Sequence, residues 1–182
     1  RFLPLLLTLA CLTLAIGALA SVGVHGVRTV LSWQMVSGIG GILVGLGLST
    51  RLGMAAGLFY LIHHMVAMGC LLAATAAVEV RYGPGRLGDG RGLARREPLI
   101  ATVFFVGLLS IVGIPPFSGF VGKLMLVAAG VEAGRLVTVA VVLVASLVSL
   151  WALLRVWDAW FWGEPGPPHG LRERLATAAL PI

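Results

Sequence analysis

The run Ile111-Val112-Gly113-Ile114-Pro115-Pro116-Phe117-Ser118-Gly119-Phe120-Val121-Gly122-Lys123-Leu124-Met125-Leu126-Val127 places a lysine inside strongly apolar sequence. Lys123 is the only lysine of the chain, and the other twelve basic residues are all arginine. An ammonium at bilayer depth costs at least about 2.5–3.5 kcal/mol on insertion scales. Lysine, unlike arginine, can give up its proton in such surroundings. Gly113, Pro115, Pro116 and Gly119 interrupt the helix here and free backbone groups where an ion path can form. A lone ionisable group on a broken membrane helix predicts proton transfer.

The rest of the chain supplies the membrane. Of its 182 residues, 59% are hydrophobic and 11% charged, and mean hydropathy is +1.03. A soluble domain carries about 25% charge. Five apolar runs are long enough to span, at about 20 residues each. They cover 2–22, 29–48, 52–78, 98–130 with a break near 113–116, and 136–161. The expected fold is an all-α membrane bundle of about five transmembrane helices over 1–163, with a cytoplasmic tail over 164–182. Leu171 to Leu180 reads either as a short interfacial helix or as a frayed tail. The chain begins at Arg1 directly before a hydrophobic run too long for a signal peptide. That abrupt start suggests a piece of a longer protein.

The net charge of +6 reads as topology, because the arginines sit in loops and at span ends. Arg28, Arg81, Arg86, Arg91, Arg95, Arg96, Arg172 and Arg174 fall on one side, against Arg1, Arg51 and Arg135 on the other. Eight against three puts the 81–96 loop and the C-terminus in the cytoplasm. No basic stripe interleaved with aromatics supports nucleic-acid binding. Trp151, Trp157, Trp160 and Trp162 cluster as an interfacial anchor would. Cys11 and Cys70 read as small buried hydrophobes. Glycines at Gly41, Gly45, Gly53 and Gly57 have the spacing of closely packed helices.

Lys123 has apolar sequence on both sides, which argues against a lysine that snorkels to an interface. The string Gly119 to Lys123 is no phosphate loop, since Phe117 stands at the first glycine position and Leu124 follows the lysine. His63 and His64 point about 100° apart on a helix, so at most one faces a given path. His64 shares a face with Tyr60 and Met68. It either relays protons or hydrogen-bonds a neighbouring helix. No cysteine or carboxylate set accompanies the histidines, so no metal site is expected. Gln34, Ser32 and Ser37 read as helix–helix hydrogen bonds. Glu79, Glu132, Asp158 and Glu164 sit at span ends, where solvated carboxylates are the default, and Arg155 is placed to pair with Asp158. No nucleophile–base pair points to an enzyme, and no flavin, quinone or iron–sulfur motif points to a cofactor.

The run Ser110 to Lys123 resembles the signature of the antiporter-like membrane subunits shared by Mrp-type Na+/H+ antiporters and the membrane arm of respiratory complex I. Arg28 to Gly40 resembles the second block of that family, and Phe59 to Met65 its His-His helix. Leu126 to Gly134 and Phe161 to Pro165 look most like the D-type subunits of Mrp antiporters. The resemblance implies the second of two inverted five-helix repeats, with Lys123 as its titrating lysine and His64 as a relay. It implies a multi-pass protein of the bacterial inner membrane that works with other antiporter subunits, the lipid bilayer, H+ and Na+. The chain departs from the family at Met68, where many members carry lysine, at Gln34, where a histidine is common, and at Gly38, where a glutamine or histidine is common. The alternatives are a proton-translocating subunit of complex I or of a membrane-bound hydrogenase, and a non-conducting structural paralogue.

Overall fold

The computed structural model describes residues 2–84, 87 and 92–163. Residues Arg1, Arg86, Arg91, Arg172 and Arg174 of the charge count, and the tail over 164–182, lie outside the described residues. The helices are α1 (Phe2–Gly23), α2 (Val27–Gly47), α3 (Arg51–Tyr82), α4 (Leu93–Arg96), α5 (Pro98–Val112), α6 (Ser118–Glu132) and α7 (Leu136–Phe161). Helices α1, α2, α3 and α7 are long and apolar enough to cross a membrane. Helix α5 has 15 residues and rises about 22 Å, short of a hydrocarbon core of about 30 Å. It needs α6 beyond the break to complete a crossing. The chain is an all-helical membrane bundle, with one spanning element broken at Gly-Ile-Pro-Pro.

Local chemistry sets the ends. Thr50 caps α3 by accepting from the Gly53 amide at 2.9 Å. Pro98 starts α5 from the first turn, where its missing N–H is harmless. Gly113 ends it at φ +82, a left-handed conformation that suits glycine. The Gly113 and Ile114 amides close back on the Leu109 carbonyl at 3.0 and 3.1 Å. Helix α3 continues past the apolar run to Tyr82, because its polar last turn finds partners: Glu79 binds Arg28, and Arg81 binds Glu97 at 2.6 Å.

Small residues let the helices close. A Cβ on Gly45 would lie 2.7 Å from the Gly57 Cα, so α2 and α3 meet backbone to backbone there. A second seam joins α1 to α2, where a Cβ on Gly17 would lie 2.4 Å from the Ser37 nitrogen. The main core gathers Leu31, Leu71, Phe104, Leu108, Leu153 and Trp160 from α2, α3, α5 and α7. Large apolar side chains also face outward, among them Ile62, Leu99, Leu147 and Val137. Outward apolar faces suit a bundle whose solvent is lipid.

Several expectations need correction. Cys70 is exposed on the outer face of α3 and Cys11 is half-buried, because small apolar residues can face lipid as well as core. Trp160 is fully buried against Phe161, so of the clustered tryptophans only Trp151 and Trp162 are exposed. Arg155 does not reach Asp158. Its guanidinium donates to the Val22 carbonyl near the C-terminal end of α1, where a cation also suits the helix dipole. Glu79 is ion-paired and its side chain is only 12% exposed, so it is not a freely solvated end group.

Candidate functional site

The break presents a helix end inside the bundle. The last carbonyls of α5 have no helical partners of their own. Leu109 and Ser110 are served by the amides of Gly113 and Ile114. The Val112 carbonyl is served by Lys123, whose Nζ donates to it at 2.6 Å. Five residues into α6, the lysine therefore reaches back across the break and caps α5 at its negative end. Gly119 lies in the first turn of α6, not in the break. A Cβ there would sit 1.8 Å from the Ser110 carbonyl oxygen, so glycine lets the two half-helices meet. Pro115 and Pro116 are exposed on the connecting turn.

The two histidines of α3 leave the helix in different directions, as their 100° separation requires. His63 turns toward α6, where its Nδ1 lies 2.9 Å from the Ser118 Oγ. Its Nε2 has no hydrogen-bond partner. The same ring lines a lateral apolar groove of about 730 Å³ between α3 and α5, walled by Phe59, Val66 and Val106. His64 turns toward α2. It is 6% exposed, and neither ring nitrogen has a partner. Its ring stacks on Tyr60, with centroids 5.9 Å apart and planes at 22°.

His64 and Lys123 meet at one small cavity of about 20 Å³. Gln34, Ser37, Ser146 and Ser149 also line it. That volume admits about one water, and the lining offers it several polar contacts. The geometry thus brings Lys123 and His64 together and sends His63 elsewhere. Met68, one turn after His64, is 2% exposed within the main apolar core, so no polar group continues the face there. Ser118, Ser146 and Ser149 do not stand out in the sequence. A serine in an apolar helix ordinarily bonds its own backbone, as Ser146 does with the Val142 carbonyl at 2.8 Å. The readable trace is the i, i+3 spacing of Ser146 and Ser149 in the otherwise apolar stretch 139–154 of α7.

Gln34 donates to the Ser21 Oγ at 3.0 Å, and Ser37 donates to the Leu14 carbonyl at 3.0 Å. Both fix α2 to α1. Ser32 bonds its own helix through the Arg28 carbonyl. Outside the spans, hydrogen bonding from Arg81 holds the Glu97 carboxyl below its ordinary value, and the Tyr82 hydroxyl adds a bond at 3.1 Å. Among the described residues no three His, Cys, Asp or Glu side chains gather as a metal site needs.

Residues 2–149 match the protein family described as NADH:quinone oxidoreductase/Mrp antiporter, TM. The D-type subunit of the Na+/H+ antiporter of Bacillus subtilis strain 168 is 32% identical over 179 residues, 96% of this chain and 36% of that protein. A chain in the structure of the Mrp complex from Dietzia sp. DQ12-45-1b matches with TM-score 0.90 and 46% identity, over 92% of this chain and 31% of that one. A chain of respiratory complex I from Thermus thermophilus with bound NADH matches with TM-score 0.85 and 27% identity, over 96% of this chain and 38% of that one. The chain spans about a third of the length of the relatives it matches.

Proposed function

Since this chain belongs to the NADH:quinone oxidoreductase/Mrp antiporter transmembrane family, we propose that it is one proton-translocating repeat of a D-type subunit in an Mrp-type Na+/H+ antiporter. The observation that carries this reading is Lys123, the sole lysine, held on the Val112 carbonyl at the helix break and facing a one-water cavity shared with His64. Lys123 takes up a proton from one half-path and holds it as an ammonium against the negative end of α5. It releases the proton when a neighbouring charge changes. His64 relays the proton to or from the cavity, and His63 with Ser118 stands beside the break on the α3–α6 side. The protein acts as one part of a transporter, without a cofactor of its own. Its partners are the other subunits of the complex, the bilayer, H+ and Na+.

The arginine asymmetry supports an inner-membrane orientation with the 81–96 loop and the C-terminus in the cytoplasm. Labelling of a Gly88→Cys variant, in a background lacking Cys11 and Cys70, tests it. An impermeant maleimide should react in everted vesicles and fail in intact cells; reaction from outside intact cells refutes the orientation.

A second reading, a redox-driven membrane component like those of complex I, draws on the structural match to that complex. The 46% identity to the Mrp chain, against 27%, favours the antiporter. Everted vesicles carrying the complete complex decide between them. With a respiration-built pH gradient, Na+ should collapse the gradient without any quinone being reduced by the complex. Proton movement that requires quinone reduction supports the second reading.

A further inference from the structure

Helix α2 carries a glycine whose missing side chain is occupied by a histidine. A Cβ built on Gly38 would lie 2.1 Å from both Cε1 and Nε2 of His64, and 2.6 Å from its Cδ2. The Tyr60 ring stacks on the imidazole. Tyr60 in turn rests on α2 one turn along, where a Cβ on Gly41 would lie 3.0 Å from its Cε1. Two rings spaced i, i+4 on α3 thus lie against two glycines spaced i, i+3 on α2. The contact differs in kind from the Gly45–Gly57 seam, which is backbone on backbone. Here the backbone meets an ionisable ring that is only 6% exposed, with both nitrogens unpartnered beside the cavity it shares with Lys123. A buried imidazole without partners is costly unless water or another group completes it. The ring lies where a side chain on Gly38 would be.

We propose that Gly38 is a positioning residue for His64: it leaves the slot that fixes the imidazole, unpartnered nitrogens and all, at the one-water cavity facing Lys123. The proposal rests on the transport reading given above. Gly38 also lines the cavity, but the three atoms nearest its missing Cβ all belong to the His64 ring, so replacing it should matter chiefly while the ring is present.

A double-mutant cycle in the complete antiporter complex tests this. Na+-driven proton exchange is read by dye quenching in everted vesicles, normalised to assembled complex, for wild type, Gly38→Ala, His64→Ala and the double variant. Gly38→Ala should lower the maximal rate on the order of tenfold and leave the apparent KM for Na+ unchanged. The double variant should match His64→Ala alone. A full further loss in the His64→Ala background, or a wild-type rate for Gly38→Ala, overturns the proposal. Thermal unfolding of the purified complex supplies a readout independent of transport. Gly38→Ala should lower Tm, and adding His64→Ala should recover most of that loss. Equal Tm losses in both backgrounds defeat the positioning role. If Lys123→Ala and His64→Ala both transport as wild type while Tm recovers, the contact stands and the transport reading fails.

Discussion

Two polar seams run through the same bundle, and they are finished differently. Between α1 and α2, Gln34 is bonded to Ser21 and Ser37 to the Leu14 carbonyl. Between α3 and its neighbours, the His63 Nε2 and both His64 nitrogens have no partner. Both seams touch the Lys123 cavity, the first through Gln34 and Ser37 and the second through His64. In a membrane, a satisfied polar pair joins helices. On the transport reading proposed above, the nitrogens left without a protein partner are the ones open to exchange with water and protons. Type of residue therefore says less about role than whether its hydrogen bonds are already spoken for.

The largest effect expected from this contrast belongs to Lys123→Ala. Antiport in everted vesicles should fall to background while blue native gels find the complex assembled, since removing a charge from an apolar membrane run eases insertion. An assembled, fully active variant would erase the distinction between the seams. His64→Ala should slow exchange by about tenfold, less than the hundredfold or more a positioned acid–base group can supply, because water can enter the space left. A rate indistinguishable from wild type would move His64 into the same class as Gln34.

Ser21→Ala works on the other seam. It strips Gln34 of its acceptor and should lower stability by about 0.6–1.7 kcal/mol, read by thermal unfolding, with the exchange rate per assembled complex unchanged. A lost rate at normal stability would make the α1–α2 seam part of the path. The smallest effect lies outside the spans. Bonding to Arg81 holds Glu97 below its ordinary value, so the stabilisation is complete above that ordinary value and is lost as pH falls through the lowered one. Hydrogen exchange at Leu93–Arg96 should quicken in wild type only in acid, and in Glu97→Gln already at neutral pH. Transport by Glu97→Gln should match wild type.

Much of this arrangement is legible in the linear chain because the membrane simplifies the code. Long apolar runs have one reading at bilayer thickness, and Gly113 with Pro115 and Pro116 can only interrupt the run that holds them. Lys123 and His64 stand out because ionisable groups are rare there. What the linear chain hides depends on which way a face turns. Cys70 and Trp160 differ in exposure though both sit in apolar sequence. Arg155 has an acidic neighbour at helical spacing, yet it finds a carbonyl 133 positions away in sequence. Ser149 looks like any helical serine until α7 sets it on the cavity. Gly38 looks like any packing glycine until His64 is seen lying on it.

The central claim is that Lys123 works by exchanging its proton, and Lys123→Arg tests it most directly. A guanidinium keeps the positive charge at the Val112 carbonyl but holds its proton at any physiological pH. Na+-driven dequenching in everted vesicles, normalised to assembled complex, should be abolished or nearly so in this variant. Wild-type dequenching by the arginine variant would mean that charge alone suffices, and the proton-carrier role would be contradicted.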